Sequence, residues 1–291
     1  SLSSAMAITA ATNGFVPTSE GLTSACELLT VSRNPMDPRY AATSAALEHQ
    51  MVQPSFIVHL AYIFSRLTPA NIPDDVRQLA GLVLKQGVMQ APLRTLSEDV
   101  QVFVRSELLV ALADPHSPMV RKHAGNVIST LASPNSRIAG GLAAWPGLLP
   151  TLFHLLASGT PTNPAHQADG GLLGASGALA CLAKLCEDHG RRLGPEVVDA
   201  LAPRLLPFFA CAADAECRLY SVVAMQHLVS AAGAMGEFPP GLSAGLGSYL
   251  QGLSSLTADP SPPVRVAVCQ SIVTLVAEAP HALVPCFSAV G

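Results

Sequence analysis

Three residues of the chain have types and a spacing that could bind a metal ion. Cys181, Cys186 and His189 form a C-x4-C-x2-H pattern, and thiolate and imidazole are common zinc ligands. The pattern lacks the paired C-x2-C spacing of structural zinc sites, and no fourth ligand lies nearby in the sequence. We therefore expect no metal here, and we interpret the seven cysteines as small buried hydrophobic residues.

Catalytic residue types are present without a catalytic pattern. Ser, His and Asp occur along the chain, but there is no G-x-S-x-G turn, phosphate-binding glycine loop or H-E-x-x-H pair. His49, His59 and His227 are best interpreted as ordinary exposed or satisfied histidines. The sequence predicts that the chain is not an enzyme and needs no cofactor.

Composition argues against two further functions. The 291 residues are 49% hydrophobic and only 12% charged, with a net charge of −4, whereas typical soluble domains are about 25% charged. Lys85, Lys122 and Lys184 are the only lysines, so no basic cluster is dense enough to neutralise a run of phosphates. The long uncharged stretches are interrupted by Pro, Gly, Gln and His. We expect binding to neither nucleic acid nor membrane.

The start of the chain carries no recognisable targeting signal. The stretch SLSSAMAITAATNGF has no basic residue ahead of its short apolar core, which argues against a signal or transit peptide. The odd number of cysteines argues against a disulfide framework. These features predict a cytoplasmic or nuclear protein, and we expect residues 1–19 to form a disordered tail.

A phrase of the sequence recurs at a regular interval. ADPHSPMVRKHAGNVISTLAS at residues 113–133 returns as ADPSPPVRVAVCQSIVTLVAE at residues 258–278. The basic residues that open such runs are Arg39, Arg77, Arg121, Arg218 and Arg265, at intervals of 38, 44, 97 and 47 residues. The interval of 97 is close to two periods, and residues 169–187 fill the gap without an arginine. Six units of about 40 to 47 residues have the length of HEAT or armadillo repeats.

Each unit is predicted to be a pair of helices. Apolar residues from Val120 to Leu131 and from Val264 to Val276 follow helical spacing, and prolines mark the turns. The first helices are predicted at Glu20–Ser32, Pro54–Leu67, Thr95–Ala113, Trp145–Ser158, Pro195–Ala213 and 242–258. The predicted fold class is all-α, an α-α superhelix of the HEAT-repeat type. We expect one solenoid over residues 20–291, with about six hairpins and the start of a seventh at 280–291.

Aspartates of the turns and arginines of the second helices are predicted to bond along the stack. An arginine early in one second helix can reach the aspartate of an adjacent turn and form a charge-assisted hydrogen bond. The residues of this predicted ladder are Arg77, Asp114, Arg121, Arg218, Asp259 and Arg265. Their interpretation is structural, because they set repeat register and need touch no ligand. We expect an interruption at residues 169–187, where the arginine is missing.

Several phrases resemble the importin-β family of nuclear import receptors. IPDDVRQLAGLVLKQGV at residues 72–88 is similar to the family's amino-terminal domain, which would span about residues 20–95, with further HEAT repeats over 96–291. EGLTSACELLTVSRNP at residues 20–35 and VRKHAGNVISTLAS at 120–133 narrow the resemblance to the transportin (karyopherin-β2) branch. So do WPGLLPTLFHLL at 145–156 and ALACLAKLCEDHG at 178–190.

The resemblance implies the amino-terminal portion of a nuclear import receptor. Members of the family bind the GTPase Ran in its GTP form on the concave second helices of their first repeats. They also carry protein cargo with a nuclear localisation signal and touch phenylalanine-glycine nucleoporins. The resemblance therefore implies these partners, and a location in the cytoplasm, the nucleus and the nuclear pore. The main cargo site is expected outside this chain.

The same resemblance implies where Ran would bind. The exposed side of the second helices in the second and third units would carry the contacts, since positions three or four apart share a helix face. The implied Ran-binding residues are Gln78, Lys85, Gln86, Lys122, Asn126 and Thr130. Gln86 stands where the family has asparagine, which places its amide on a longer side chain.

Two alternative functions stay open at this point. One is a generic HEAT scaffold for protein–protein interaction, of the phosphatase-regulatory type and without Ran binding, although such scaffolds have more uniform unit lengths. The other is a truncated or degenerate copy without transport function, whose uncovered apolar end would favour self-association.

Overall fold

The structure is a computed structural model that describes residues 17–90, 96–133, 141–161, 171–236 and 238–280. All regular structure in these residues is helical. The chain forms two compact units, Ser1–Leu148 and Leu149–Gly291. The predictions of a disordered tail and of a seventh repeat concern mainly residues 1–16 and 281–291, which lie outside the described residues.

Unit 1 contains three helical hairpins. Its α-helices are α1 Ser19–Ser32, α2 Tyr40–Gln50, α3 Pro54–Arg66, α4 Asp74–Gln90, α5 Glu98–Ala111 and α6 Pro118–Ala132. The hairpins pair α1 with α2, α3 with α4, and α5 with α6. First helices pack on first helices (α1 on α3, α3 on α5), and the second helix α4 packs on α6. This two-layer arrangement is the one that a helical repeat needs to bury its apolar faces.

The helix starts of unit 1 follow from local sequence. The Thr18 hydroxyl caps α1 by accepting the Gly21 N–H at 3.2 Å, and α1 begins one residue before the predicted Glu20. Ser117 caps α6 by accepting the Val120 N–H at 3.3 Å, and Pro118 follows in the first turn, where its missing N–H costs nothing. The turn phrase of the repeat therefore acts as a helix-start signal.

Unit 2 contains three further hairpins. Its α-helices are α7 Leu148–Ser158, α8 Gly171–His189, α9 Pro195–Leu205, α10 Ala215–Met235, α11 Pro240–Ser255 and α12 Pro262–Glu278. The second helices α8, α10 and α12 pack in sequence on one another, and α9 packs on α11. The prediction of an all-α fold built from HEAT-type hairpins is confirmed.

The first helix of the fifth hairpin is shorter than predicted. It ends at Leu205, and the chain continues as a 3₁₀ helix over Leu206–Ala210 rather than as α-helix to Ala213. Pro207 accounts for the change, because proline lacks the N–H that would donate the next α-helical hydrogen bond. The break places the buried Phe208 and Phe209 against α10 and α11.

The interpretation of every cysteine as a buried hydrophobic residue is wrong for Cys269. Cys181, Cys186, Cys211 and Cys217 are buried and Cys26 is half-buried, but Cys269 is exposed on α12, and Cys286 lies outside the described residues. The exposure of Cys269 follows from the packing of α12, on which no later helix packs among the described residues.

Candidate functional site

The candidate surface is formed by α4 and α6, the second helices of two neighbouring hairpins in unit 1. The sides on which these helices pack are apolar, with Leu84 and Val88 on α4 and Val127 and Ile128 on α6 all buried. The opposite sides of both helices face outward. We call this outward side the α4–α6 face and define it by Gln78, Leu82, Lys85, Gln86, Met89, Met119, Lys122, His123, Asn126 and Thr130.

The six residues predicted for partner binding all lie on this face. Gln86 and Lys122 are exposed, whereas the other four, Gln78, Lys85, Asn126 and Thr130, are partly buried. The Thr130 hydroxyl donates a hydrogen bond to the Asn126 carbonyl oxygen at 2.9 Å, so it already has a partner within α6. A new contact from Thr130 would compete with that bond, and Thr130 is the weakest candidate of the six.

His123 belongs to the face but was missed by sequence reasoning. Burial lowers the pKa of its imidazole, and the charges of Lys122 and then Lys85 lower it further. The ammonium groups of two different helices are therefore close enough to act on one ring. The Nδ1 atom of His123 is buried and has no hydrogen-bond partner among the described residues.

The two lysines of the face differ from the third lysine of the chain. Lys184 binds Glu187 at 3.0 Å and Asp188 at 2.9 Å on its own helix. Within the described residues, Lys85 and Lys122 form no ion pair with a carboxylate. The α4–α6 face therefore carries a local positive charge on a protein whose net charge is −4.

Large apolar side chains complete the face, and these too were missed. Leu82 is 51% exposed, Met89 44% and Met119 43%. The signal was available in the sequence, because Leu82 and Met89 follow Gln78 at helical spacing on the polar side of α4. Cations beside exposed apolar side chains make a surface suited to a protein partner rather than to a small molecule.

The predicted ladder residues hold α4 and α6 in register. Arg77 is fully buried and its guanidinium binds the Asp114 carboxylate in the next turn, as well as the Phe64 carbonyl at 3.2 Å. Asp114 also accepts the backbone N–H groups of His116 at 2.9 Å and Ser117 at 2.7 Å. These bonds tie the end of the α3 helix and the start of α4 to the turn that starts α6.

Arg121 and Arg265 take a different position from the other arginines of the ladder. Arg121 donates to the backbone carbonyl of Asp114 at 2.8 Å, and Arg265 donates to that of Asp259 at 2.6 Å. Each therefore binds the turn of its own hairpin. The carboxylates of those turns are instead bound by the arginine of the preceding hairpin, Arg77 or Arg218.

In the hairpin that lacks the arginine, the next turn has no such ion pair among the described residues. Asp214, in the turn before α10, accepts the Glu216 N–H at 2.7 Å and a contact from the Cys217 thiol at 3.5 Å. The preceding second helix, α8, contains no arginine.

Unit 2 has a second outward groove, of about 530 Å³, between α10 and α12. Its lining residues are Val223, Gln226, His227, Cys269, Gln270, Val273 and Thr274. Gln226 donates to the Thr274 hydroxyl at 3.3 Å and so bridges the two helices. The lining contains no lysine or arginine, so this groove lacks the positive charge of the α4–α6 face.

The remaining candidate residues, Trp145, Cys181 and Cys186, lie in packed parts of the structure. Trp145 is 7% exposed, with the guanidinium carbon of Arg105 5.7 Å from its ring centroid, so it is a packing residue. Burial raises the pKa of the Cys181 thiol and raises that of Cys186 to about 12.

The described residues contain no group of three or more side chains placed to hold a metal ion. No described helix is long and apolar enough to cross a membrane.

Comparison with known proteins identifies the family. The chain is 30% identical to Transportin-1 of Homo sapiens over 264 residues, and 28% identical to Transportin of Dictyostelium discoideum over 266 residues. These alignments cover 89% and 90% of the chain. The chain is a homologue of the transportins of the importin-β family. No protein-family model matches it.

The fold of this transportin homologue is similar to that of a solved karyopherin. The structure of Kap121p matches 93% of the chain with a TM-score of 0.66 at 17% identity, and Kap121p bound to Nup53p matches 94% with a TM-score of 0.65. Kap121p bound to RanGTP matches 91% with a TM-score of 0.54. The chain spans about a quarter of the length of the relatives it matches, 26% for both transportins and 24% for Kap121p.

Proposed function

We propose that this transportin homologue is part of a nuclear import receptor and that its α4–α6 face binds Ran in its GTP form. The homology to transportins and the similarity to a karyopherin solved with RanGTP support the proposal. The observation that carries it is the pairing of two unneutralised ammonium groups, Lys85 and Lys122, with exposed apolar side chains on adjacent second helices. Charges of this kind speed association and select a complementary partner.

The proposal extends to the other partners of such receptors. Phenylalanine-glycine nucleoporins and protein cargo with a nuclear localisation signal would bind the receptor, with the main cargo site outside this chain. The chain would then work in the cytoplasm and the nucleus and at the nuclear pore. The solved complex of Kap121p with Nup53p supports the nucleoporin part of this proposal for the family.

The test is the binding of the purified chain to Ran loaded with a non-hydrolysable GTP analogue, with Ran-GDP as the control. We expect clear preference for the GTP form. Lys85→Gln and Asn126→Ala should each weaken binding, by about tenfold if each removes a buried contact worth about 1.4 kcal/mol. Lys184→Gln is the matched control, because Lys184 lies on α8 and pairs with its own helix.

The opposite result would select a different function. If the folded chain binds neither nucleotide form of Ran, the proposal is wrong, and a HEAT scaffold for other protein–protein interactions becomes the better interpretation. If it binds Ran-GTP but Lys85→Gln and Lys184→Gln behave alike, the function stands and the α4–α6 face is not the binding surface.

A further inference from the structure

The charge of the His123 imidazole depends on the surface that covers it. Besides burial, the charges of Lys122 on its own helix and of Lys85 on α4 lower the pKa of its imidazole, so both disfavour the protonated form. Besides α4, α6 contacts α5 and the 3₁₀ helix Gly141–Ala144, which has no charged residue. Two charged side chains of α5 have other partners. Glu107 binds Arg66 at 2.7 Å, Arg105 lies over the Trp145 ring, and Glu98 and Asp99 lie in the first turn of α5. The imidazole of the free chain is therefore mostly neutral at pH 7.

Any partner that covers this face must supply negative charge. Lys85 is already partly buried, and a neutral surface laid over it and Lys122 would desolvate two cations without compensation. A partner with carboxylates at this position would instead pair with both ammonium groups. It would also reverse the local electrostatic balance at His123, because nearby negative charge favours the imidazolium.

We propose that Lys85, Lys122 and His123 together form a carboxylate-binding site for an acidic surface of the partner protein, and that binding places a proton on His123. This inference rests on the proposed function, because it deepens the description of the same face. His123 is a binding residue in this proposal. The exposed Leu82, Met89 and Met119 around it would contact the apolar surroundings of the partner's carboxylates.

The direction of the pH dependence follows from linkage. The pKa of His123 in the free chain is below its ordinary value of about 6.5, and carboxylates in the complex raise it. Between the two pKa values, the complex takes up a proton that the free chain lacks. Affinity therefore increases as pH falls through that window, and it becomes independent of pH above the pKa of the complex.

The experiment measures the dissociation constant for Ran loaded with a non-hydrolysable GTP analogue from pH 8 to pH 5.5. Calorimetry in two buffers of different ionisation enthalpy counts the protons taken up on binding. We expect affinity to increase by about tenfold across this range, with net proton uptake near pH 6.5. His123→Gln should abolish the uptake that His123 contributes and flatten the pH profile. His116→Gln is the matched control, because His116 is an exposed histidine of the turn before α6.

A second readout does not depend on the histidine substitution being tolerated. Lys85→Gln and Lys122→Gln should each raise the pKa of His123 in the free chain, as followed by NMR titration of the imidazole, because each removes a charge that lowers it. Binding of Ran-GTP with the same pH profile in the parent chain and in His123→Gln would overturn this inference while leaving the proposed function intact. Absence of Ran binding at every pH would overturn both.

Discussion

Arg218 and Asp259 form a two-point ion pair between consecutive hairpins of unit 2. Nε of Arg218 donates to one carboxylate oxygen at 2.6 Å and Nη2 donates to the other at 3.1 Å. Both side chains are buried, and the remaining nitrogen, Nη1, donates to the Cys211 carbonyl at 2.6 Å. One guanidinium therefore joins the turn before its own helix to the turn of the next hairpin. Arg77 and Asp114 occupy the same places in unit 1.

Removal of the Asp259 charge should destabilise unit 2 strongly. In Asp259→Asn, the buried guanidinium of Arg218 keeps its charge and loses its partner, and such changes cost about 3 kcal/mol or more. Urea unfolding followed by circular dichroism measures the loss. Asp188→Asn is the control, because its ion pair with Lys184 is partly exposed on a single helix and is worth less than about 1 kcal/mol. Equal losses in the two variants would contradict the importance of the buried pair.

The same pair predicts a specific response to acid. The hydrogen bonds from Arg218 lower the pKa of Asp259 below its ordinary value. A carboxyl with a lowered pKa in the folded state contributes stability above the unfolded value of about 3.9 and loses it as pH falls further. The stability difference between the parent chain and Asp259→Asn should therefore shrink below about pH 4. A difference that stays constant down to pH 3 would show that the Asp259 charge does not contribute.

The repeat phrase predicted the hairpins because its signals are local. Ser117 and Pro118 start α6 through contacts within four residues, so their effect can be inferred from sequence alone. The first hairpin shows the limit of this reasoning. Arg39 aligns with the ladder arginines, but it lies just before α2 and binds the partly buried Asp37 and the exposed Glu27. Asp75, in the first turn of α4, is bound by Arg33 instead.

The candidate site was predictable only in part. Helical spacing placed Lys85 and Lys122 on outward helix faces, because that inference needs only the period of the helix. The effect of Lys85 on His123 depends on the packing of α4 against α6, which no spacing within one helix reveals. Cys269 was assigned to the core for a related reason, since its exposure depends on what packs against α12 and not on its own type.

Two glycines of α11 should respond in opposite ways to substitution by alanine. A Cβ at Gly252 would lie 2.6 Å from Cδ2 of the buried Phe209 ring, whereas a Cβ at Gly247 would meet no atom within 4 Å. Gly247→Ala should stabilise the chain by about 0.5–1 kcal/mol through helix propensity. Gly252→Ala should cost about 1–3 kcal/mol, because the ring is held at 5.8 Å from Tyr249 and has little room to move.

Thermal unfolding of the two glycine variants provides the measurement. Both substitutions lie on the same helix and add the same single methyl group, so each serves as the control for the other. A gain of stability in both variants would show that Phe209 and α11 separate easily, and it would contradict the close approach that Gly252 permits.

The cysteines should differ widely in reactivity towards an alkylating reagent. The reactive species is the thiolate, and burial raises the pKa of the Cys181 and Cys217 thiols and brings that of Cys186 to about 12. Cys269 is exposed, so it should be alkylated on the order of a thousandfold faster than Cys186 at pH 7.5. Pulse labelling with iodoacetamide followed by peptide mass spectrometry resolves the individual sites. Cys269→Ser should remove the fast-labelled α12 peptide and leave the slow sites unchanged. Native-state labelling of Cys186 at the rate of Cys269 would show that α8 is not packed as described.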